Sequence, residues 1–337
     1  SVRAERVVVV SNPVSGRNRR DLPRIERDLA CYPRVRHYVT RSPEAVEQLV
    51  SELWREDPAA LVINGGDGTA ATLFGLVLRH WPVEQRPVLI VLPGGTANMT
   101  AGDLGLGGSH RRALRRLYRW LESGCPMQGE MVQRYVMRVE SASDTTAHYG
   151  MFLGAGVIIQ GTEYAHDAVH SRGIRGEMGL GFTLLRTLWG LVRGDPQFLG
   201  AVNAGLVLEE SVSADTGPAE PGRIERDGHE VVALAVSTLE RLFVGIRPFW
   251  APRGAPLAIT IIRSRASRFI RTLVSILRGR PSAHAIARNG YESFRAGTIR
   301  LWLDGGLNLD GQLLWVSRRD GPVRIVAEGP LHFLRLP

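Results

Sequence analysis

The sequence predicts an α/β fold in two parts. An N-terminal doubly wound domain with a parallel sheet precedes a C-terminal antiparallel, β-sandwich-like domain with helical insertions. Strand-like and helix-like segments alternate over the first 130 residues, which is typical of a parallel sheet covered by helices on both faces. From about residue 131, short apolar runs are separated by polar turns, which indicates antiparallel strands. A chain of 337 residues is long enough for two domains.

Apolar patterns define the elements of the first domain. Residues at helical spacing predict four helices, and Ser42 and Pro43 favour the start of the second as its N-cap and first residue. The predicted strands are Val7–Ser11, Arg36–Thr40, Ala60–Asn64 and Val88–Leu92. The helical stripes are Leu22, Ile25 and Leu29; Val46, Leu49, Val50, Leu53 and Trp54; Ala70, Leu73, Phe74, Val77 and Leu78; and Leu114, Leu117, Tyr118 and Leu121.

Glycine-containing turns follow three of these strands, at residues 12–17, 64–69 and 93–98. Because ligands of such sheets bind beyond the carboxyl ends of the strands, we expect the turns to converge at one edge. The middle turn opens a helix, whose free N–H groups and dipole favour an anion such as phosphate. Asp67 within it would repel that anion unless a cation or a reacting hydroxyl lay between them. The alternatives are an ordinary strand-to-helix loop for Gly65–Thr69, and helix caps for Asn12 and Asn98.

The second domain is predicted to contain strands and two helical insertions. The strand candidates include Tyr135–Glu140, Ala201–Leu208, Val231–Val236 and Leu257–Ile262, and the helical segments are Gly181–Val192 and Arg263–Arg280. The latter helix combines an apolar stripe with six arginines and no acidic residue. This pattern fits either a solvated surface helix or an interfacial helix on anionic lipid.

The composition excludes several classes of protein. No lysine occurs among the 42 basic residues, which excludes a P-loop, a protein kinase of the usual design and Schiff-base chemistry. The net charge of +9 suits a phosphorylated ligand or an anionic membrane, and we expect no nucleic-acid partner because no recognition motif is present. Cys31 and Cys125 form no disulfide framework, no signal-peptide pattern opens the chain, and no apolar run approaches a membrane span. These features predict a cytoplasmic protein.

Taken together, the three turns resemble those of the diacylglycerol kinase catalytic domain family, which includes bacterial lipid kinases, sphingosine kinases and ceramide kinases. They read Asn-Pro-Val-Ser-Gly, Gly-Gly-Asp-Gly-Thr and Pro-Gly-Gly-Thr-Ala-Asn. The late segment Leu309–Gln312 stands where this family usually has Asp-Gly-Glu, and the motifs occur in family order over nearly the whole chain. The resemblance implies a nucleotide-binding kinase domain at 1–130, a β-rich lipid-substrate domain at 131–320, and a segment at 321–337 for which a return to the first domain is one alternative.

The resemblance also implies an activity: transfer of the γ-phosphoryl group of ATP, with Mg²⁺, to a lipid hydroxyl in a cleft between the two domains. It makes Asp310 the base for the hydroxyl, and we expect Asp67 to help organise Mg²⁺ or nucleotide as the second catalytic residue. The nucleotide-binding residues would be Asn12, Ser15, Gly16, Thr40, Gly65, Gly66, Asp67, Gly68, Thr69, Thr96 and Asn98. A lipid substrate favours peripheral docking on the anionic inner membrane face through Arg263, Arg265, Arg268 and Arg271. A homodimer is one open alternative for the oligomeric state.

Three departures from the family pattern leave other functions open. Met99 replaces a common aspartate, Gln312 replaces the glutamate of Asp-Gly-Glu, and residues 251–256 contain no acid for the structural metal of bacterial members. A NAD kinase shares the Gly-Gly-Asp-Gly-Thr turn, although its Asn-Glu motif is not evident in Phe152–Gly156. Gln312 also suits a non-catalytic nucleotide- or lipid-binding relative. Asp310 itself could be a plain hairpin residue, as the earlier pair Asp304-Gly305 indicates.

Overall fold

The computed structural model describes residues 6–16, 18–95, 97–127, 129–156, 158, 201–215, 222–242 and 245–337. The chain forms two compact units, one reaching to Val136 and including Gly329–Pro337, the other comprising Met137–Glu328. The sequence prediction sets the boundaries at 130/131 and 320/321 instead. Both observed boundaries lie inside long strands, Glu130–Ser141 and Val323–Arg335, and the second falls at the pair Gly329-Pro330. This pair is typical of turns, but the strand continues through it.

The first unit contains a parallel sheet. Its strands are β1 (Val7–Ser11), β2 (Val35–Val39), β3 (Ala60–Gly65) and β4 (Val88–Pro93). They are ordered β4-β3-β1-β2, and Phe333 adds a parallel neighbour to β4 opposite Leu89. Every residue of β1 and β3 is buried, because strands covered by helices on both faces expose no side. The predicted parallel sheet is confirmed, with strand ends within one residue of the predictions.

Six helices are described in this unit: α1 (Asn18–Ala30), α2 (Pro43–Gln48), α3 (Val50–Glu56), α4 (Asp67–His80), α5 (Met99–Asp103) and α6 (His110–Glu122). Ser42 caps α2 as predicted, accepting a bond from the N–H of Ala45 at 3.2 Å. The predicted second helix is divided into α2 and α3. At Leu49 the N–H donates to the carbonyl of Val46, three residues back, and this tighter turn breaks the helix.

The core of the first unit includes residues from both ends of the described chain. Ile25 of α1 and Leu117 of α6 pack with Val9 of β1, and Leu334 and Leu336 join the same cluster. Phe333 meets Phe74 of α4 edge-on, with ring centroids 5.4 Å apart. This arrangement is favourable for aromatic rings, so residues after Gly329 complete both the sheet and the core.

The second unit is antiparallel. Its strands are β6 (Asp144–Gly150), β7 (Phe152–Gly156), β8 (Val202–Ser213), β9 (Gly222–Ser237), β10 (Leu257–Arg263), β11 (Tyr291–Ala296), β12 (Thr298–Leu303), β13 (Gly305–Leu309) and β14 (Gln312–Val316), with parts of β5 (Glu130–Ser141) and β15 (Val323–Arg335). The long strands β8 and β9 pair with each other; β8 also joins β11 and β12, and β9 joins β7 and β10. The antiparallel second domain is therefore confirmed. The helical segment predicted at Gly181–Val192 lies outside the described residues.

The basic helix predicted over Arg263–Arg280 is shorter than the sequence suggested. The structure has α7 at Phe269–Leu277, while Arg263 is the last residue of β10. Arg268 has a φ of 52° and so lies in the left-handed region just before the helix. The extended backbone at Arg263 is fixed by strand pairing and by its guanidinium, which lies 2.8 Å from the buried carboxylate of Glu292. These tertiary contacts override the helical pattern.

Candidate active site

The three glycine turns meet in the first unit, as the strand pattern predicted. A Cβ placed on Gly95 would lie 2.5 Å from Cα of Gly66, and one on Gly16 would lie 2.8 Å from the carbonyl oxygen of Gly94. The N–H of Gly94 also donates to the carbonyl of Gly65 at 3.1 Å. Contacts this close between main chains exclude larger residues, which explains why each turn contains glycine.

Asn12 joins the first turn to the second. Its Nδ2 donates to Oγ1 of Thr69 at 2.9 Å, and its Oδ1 accepts the N–H of Val14 at 3.0 Å. Its main-chain N–H donates to the carbonyl of Asn64 at 3.0 Å. The amide of Asn12 therefore holds two turns in register, a different role from the helix cap considered above.

Helix α4 begins where the turns meet. Its N-cap, Gly66, has no side chain, and no side-chain cap is found at this end in the described part of the chain. The first helical bond runs from Ala70 to Gly66 at 3.0 Å, so the preceding N–H groups have no partner within the helix. Gly68 is exposed, and Asp67 and Thr69 are partly exposed. An anion can therefore reach these N–H groups, and the helix dipole favours it there.

Asp67 links the second turn to the third. Its Oδ1 accepts the N–H of Thr100 at 2.9 Å and its Oδ2 accepts the N–H of Met99 at 3.1 Å. The carboxylate therefore caps α5. Although part of the residue is exposed, burial of its carboxylate raises the pKa of Asp67 above the ordinary aspartate value, and the bonds from Thr100 and Met99 act in the opposite direction. The sequence prediction did not include this positioning role.

Asn98 shapes the third turn internally. With a φ of 51° it lies in the left-handed region, which asparagine tolerates better than most residues. Its Oδ1 accepts the N–H of Gly95 at 2.8 Å, and its Nδ2 donates to the carbonyl of Gly95 at 3.0 Å. Although Asn98 precedes α5, its side chain does not cap that helix. The neighbouring predicted site residue, Thr96, lies outside the described residues.

Thr40 and Ser15 were also predicted to contact nucleotide. Thr40 follows β2 and is buried, and its N–H donates to the carbonyl of Ser11 at 2.9 Å. Its hydroxyl has no hydrogen-bond partner among the described groups, so it can form one more bond. Ser15 lies in the first turn and is partly exposed. Its Oγ lies close to Gly66, 3.9 Å from where an added Cβ would stand.

A network of hydrogen bonds between buried polar side chains lies next to the turns and was not predicted. The Nδ2 of Asn64 donates to Oγ of Ser11 at 3.0 Å, and its Oδ1 lies 2.8 Å from Nε2 of His110. Because a carbonyl oxygen only accepts, His110 donates through Nε2. Asn18 adds a bond from its Nδ2 to the main-chain carbonyl of Asn64 at 2.9 Å. Asn64, which directly precedes Gly65 and Gly66, is therefore fixed by hydrogen bonds with three other side chains.

The same hydrogen-bond network extends from Ser11 to His37. The Nε2 atom of His37 lies 2.8 Å from Oγ of Ser11. Since the Ser11 oxygen already accepts from Asn64, its proton is free to be donated to His37. Burial lowers the pKa of His37 below 6.5, which favours the neutral ring that can accept it. Histidines at positions 37 and 110 have no metal-ligand spacing, so no sequence signal distinguished them from ordinary surface or core histidines.

The candidate base, Asp310, lies in the second unit, in a two-residue hairpin turn. Asp310 and Gly311 have φ values of 48° and 94°, and Leu309 pairs with Gln312 across the hairpin. These positive φ values are typical of the Asp-Gly hairpin turn, so the turn interpretation is right for the backbone.

The side chain of Asp310 has a second role. Its Oδ2 accepts the N–H of Met151 at 2.7 Å and its Oδ1 accepts the N–H of Phe152 at 3.0 Å, while its own N–H donates to the carbonyl of Phe152. A carboxylate held in this way is oriented and remains partly exposed. Asp304, in the other Asp-Gly pair, instead accepts bonds from Ser317 and Arg318.

Arg263, one of the four predicted docking arginines, is engaged elsewhere. Its Nη2 lies 2.8 Å from Oε2 of Glu292, which also pairs with Arg226. It therefore does not belong to a free cationic surface. The other three, Arg265, Arg268 and Arg271, are exposed. Within the described ranges, no helix has the length and apolar character needed to cross a membrane.

Comparison with known proteins agrees with these observations. Residues 6–123 match the family model of the diacylglycerol kinase catalytic domain. A structure described as a diacylglycerol kinase from Bacillus anthracis str. Sterne aligns with a TM-score of 0.60 and 16% identity, over 99% of this chain and 97% of that one. Another from the same organism, provisionally described in the same way, aligns with a TM-score of 0.64 and 16% identity over 99% and 98%. At this identity the likeness shows a shared fold. No curated protein matches the chain.

Proposed function

Because residues 6–123 match the diacylglycerol kinase catalytic domain, we propose that this chain is a lipid kinase that transfers the γ-phosphoryl group of ATP to a lipid hydroxyl. The observation that carries the proposal is the convergence of three glycine turns on the uncapped start of α4. Phosphoryl transfer needs mainly positioning and charge stabilisation from the protein. Because this chain has no lysine, the main-chain N–H groups at the start of α4 would supply both the positioning and the charge stabilisation.

The residues present fit the phosphates of ATP. Glycines at the turns let the main chain approach a ligand closely, and Gly68 is exposed beside the free N–H groups of α4. Thr69 and Ser15 add hydroxyl groups at the same edge. The open bonding capacity of Thr40 at the end of β2 supports a contact with another part of the nucleotide.

Mg²⁺ would accompany the nucleotide. In proteins this ion commonly takes one or two carboxylates, with phosphate oxygens and water completing its shell. Among the described residues no group of three acidic, histidine or cysteine side chains could hold a metal, so a phosphate-bound ion with a single protein ligand is the better fit. Asp67 would be that ligand, since it is the carboxylate of the first turn of α4, beside the free N–H groups. The bound ion would neutralise charge on the phosphates.

Asp310 would accept the proton of the lipid hydroxyl. General bases are usually carboxylates or histidines held within hydrogen-bond reach of the reacting group. Two main-chain N–H groups orient this carboxylate while part of it stays exposed. Gln312, two residues further on, is exposed and uncharged, so Asp310 is the only carboxylate of this turn.

The test is transfer from γ-labelled ATP, offered with a total lipid extract and, separately, with NAD. Label in the organic phase is the expected result, and chromatography of that product identifies the acceptor lipid. Labelled NADP would contradict the proposal and favour a NAD kinase. Nucleotide binding without any labelled product would also contradict it and favour a non-catalytic relative.

A further inference from the structure

A single face of the sheet in the second unit carries α7. Across the sheet, Ile262 of β10 lies opposite both Ala233 of β9 and Tyr291 of β11. Directly opposed residues point to the same face. Leu273 and Ile276 of α7 pack with Ile262 and Tyr291, so this row defines what we call the α7 face.

Trp315 projects from the same face. Steps of two residues along a strand keep the face, and opposed pairs carry it from one strand to the next. The successive pairs are Ala233 with Gly156, Gly154 with Asn308, and Gly306 with Trp315. Four strand spacings separate β14 from β10, so Trp315 lies on the order of 20 Å across the sheet from the row beneath α7.

Apolar side chains are unusually exposed at both ends of this face. Trp315 is 72% exposed and stands opposite Gly306, which has no side chain to cover it. Ile270, on α7, is 43% exposed. Tryptophan is enriched where protein meets the membrane–water interface, because its ring is apolar while its N–H can bond to water or headgroups.

Cationic side chains accompany these apolar ones. Arg265, Arg268 and Arg271 are exposed, and no carboxylate in the described part of the chain lies within ion-pair distance of them. Residues 264–287 contain no aspartate or glutamate. Arginines beside an interfacial apolar group are attracted to anionic headgroups.

We propose that the α7 face, through Arg265, Arg268, Ile270, Arg271 and Trp315, docks on an anionic membrane surface. A membrane satisfies the charge and the apolar side chains together, whereas a soluble polyanion would satisfy the charge alone. The inference rests on the proposed function for its purpose: Asp310 and Trp315 occupy the same hairpin, β13–β14. From Gln312, which follows the turn, to Trp315 three residues of extended chain span about 10 Å, so docking through Trp315 brings the proposed base close to membrane lipids.

The test is binding to vesicles in the absence of ATP, so that its outcome is independent of catalysis. Vesicles of phosphatidylcholine, with and without phosphatidylglycerol, are sedimented with the protein. Arg268→Glu/Arg271→Glu should weaken binding to the anionic vesicles by at least about tenfold, since each arginine contributes roughly fivefold. Trp315→Ser should weaken it severalfold. The matched controls are Arg111→Glu/Arg112→Glu and Trp54→Ser, which change exposed residues of the first unit and should leave binding within about twofold.

Fluorescence gives a second measurement that separates insertion from charge attraction. Vesicles with brominated acyl chains should quench part of the tryptophan emission of the unmodified protein, and Trp315→Phe should remove that part. Docking variants that bind like the unmodified protein would overturn the proposal. Equal affinity for a single-stranded polynucleotide, with no quenching by brominated lipid, would also overturn it in favour of a soluble polyanion.

Discussion

The Oδ2 atom of Asp310 lies 2.7 Å from the main-chain nitrogen of Met151, and the N–H of the next residue, Phe152, bonds to Oδ1. These bonds tie the β13–β14 turn to the start of β7. A rotation of the Asp310 side chain would break both, leaving two main-chain donors without their acceptor. The carboxylate is therefore oriented before any substrate arrives, which is the condition for efficient proton transfer.

Replacing Asp310 with asparagine should abolish most transfer. Asparagine keeps the shape and one acceptor but cannot take up the proton of the lipid hydroxyl, so we expect kcat to fall by roughly 10²–10⁴-fold. The dissociation constant for ATP, measured by isothermal titration calorimetry, should stay within about twofold. The matched control is Asp304→Asn, which changes the other Asp-Gly pair and should leave kcat near that of the unmodified protein. Comparable turnover in the two variants would refute the assignment of the base.

Replacing Asp67 with asparagine should weaken nucleotide binding. The amide retains one acceptor, but its NH₂ group would face an N–H of Met99 or Thr100. Losing a charge-assisted bond at a partly buried site costs about 1.5–3 kcal/mol, and only part of this should reach the nucleotide. We expect the KM for ATP to rise by about tenfold while the KM for lipid is unchanged. Steady-state kinetics with each substrate varied would measure both; an increase confined to the lipid KM would contradict this role.

Adding one methyl group at Gly95 should separate the turns. The new Cβ would lie 2.5 Å from Cα of Gly66, and main chain cannot yield as a flexible side chain can. Overpacking of this kind costs about 1–3 kcal/mol, so Gly95→Ala should lower Tm and weaken ATP binding by at least about tenfold. Gly102→Ala is the control, because a Cβ there meets nothing within 4 Å. Normal ATP affinity in Gly95→Ala would show that the contact between the turns is dispensable.

The stability of the first unit should depend on pH through His37. Burial lowers its pKa below 6.5 in the folded protein, so the unfolded chain binds the proton more readily. The stabilising effect of the neutral ring is therefore present above pH 6.5 and is lost as the pH falls through the lower folded pKa. His37→Gln keeps an acceptor for Ser11 and removes the titration. Differential scanning calorimetry between pH 8 and pH 5 should show Tm falling more steeply for the unmodified protein; parallel curves would contradict this.

Local pattern predicted most of the first unit. The unbroken valine run at the start of the sheet gave β1 its bounds, because a fully buried strand needs only apolar residues. Leu49 and Arg263 show where pattern was insufficient. At Leu49, apolar spacing continued through a place where the helix tightens and breaks. At Arg263, pairing with Glu292, a residue 29 positions away, extended a strand into a segment with a helical pattern.

The position of the candidate site was predictable from the sequence, but the hydrogen bonds that hold its residues were not. Glycine turns at the carboxyl ends of parallel strands must share one edge, so their convergence followed from order alone. The bonds of Asp67 to α5 and of Asn64 to His110 could not be predicted in this way. Each joins residues more than thirty positions apart, and polar side chains show no periodicity that would identify them as partners.

The contribution of Phe333 beside Leu89 has a consequence for biosynthesis. Ribosomes release residues in sequence order, so β4 has β3 as its neighbour but lacks a second one until all 192 residues of the interval 137–328 have emerged. Until then the uncovered edge of β4 and the surface awaiting Phe333 are exposed to chaperones and to other nascent chains.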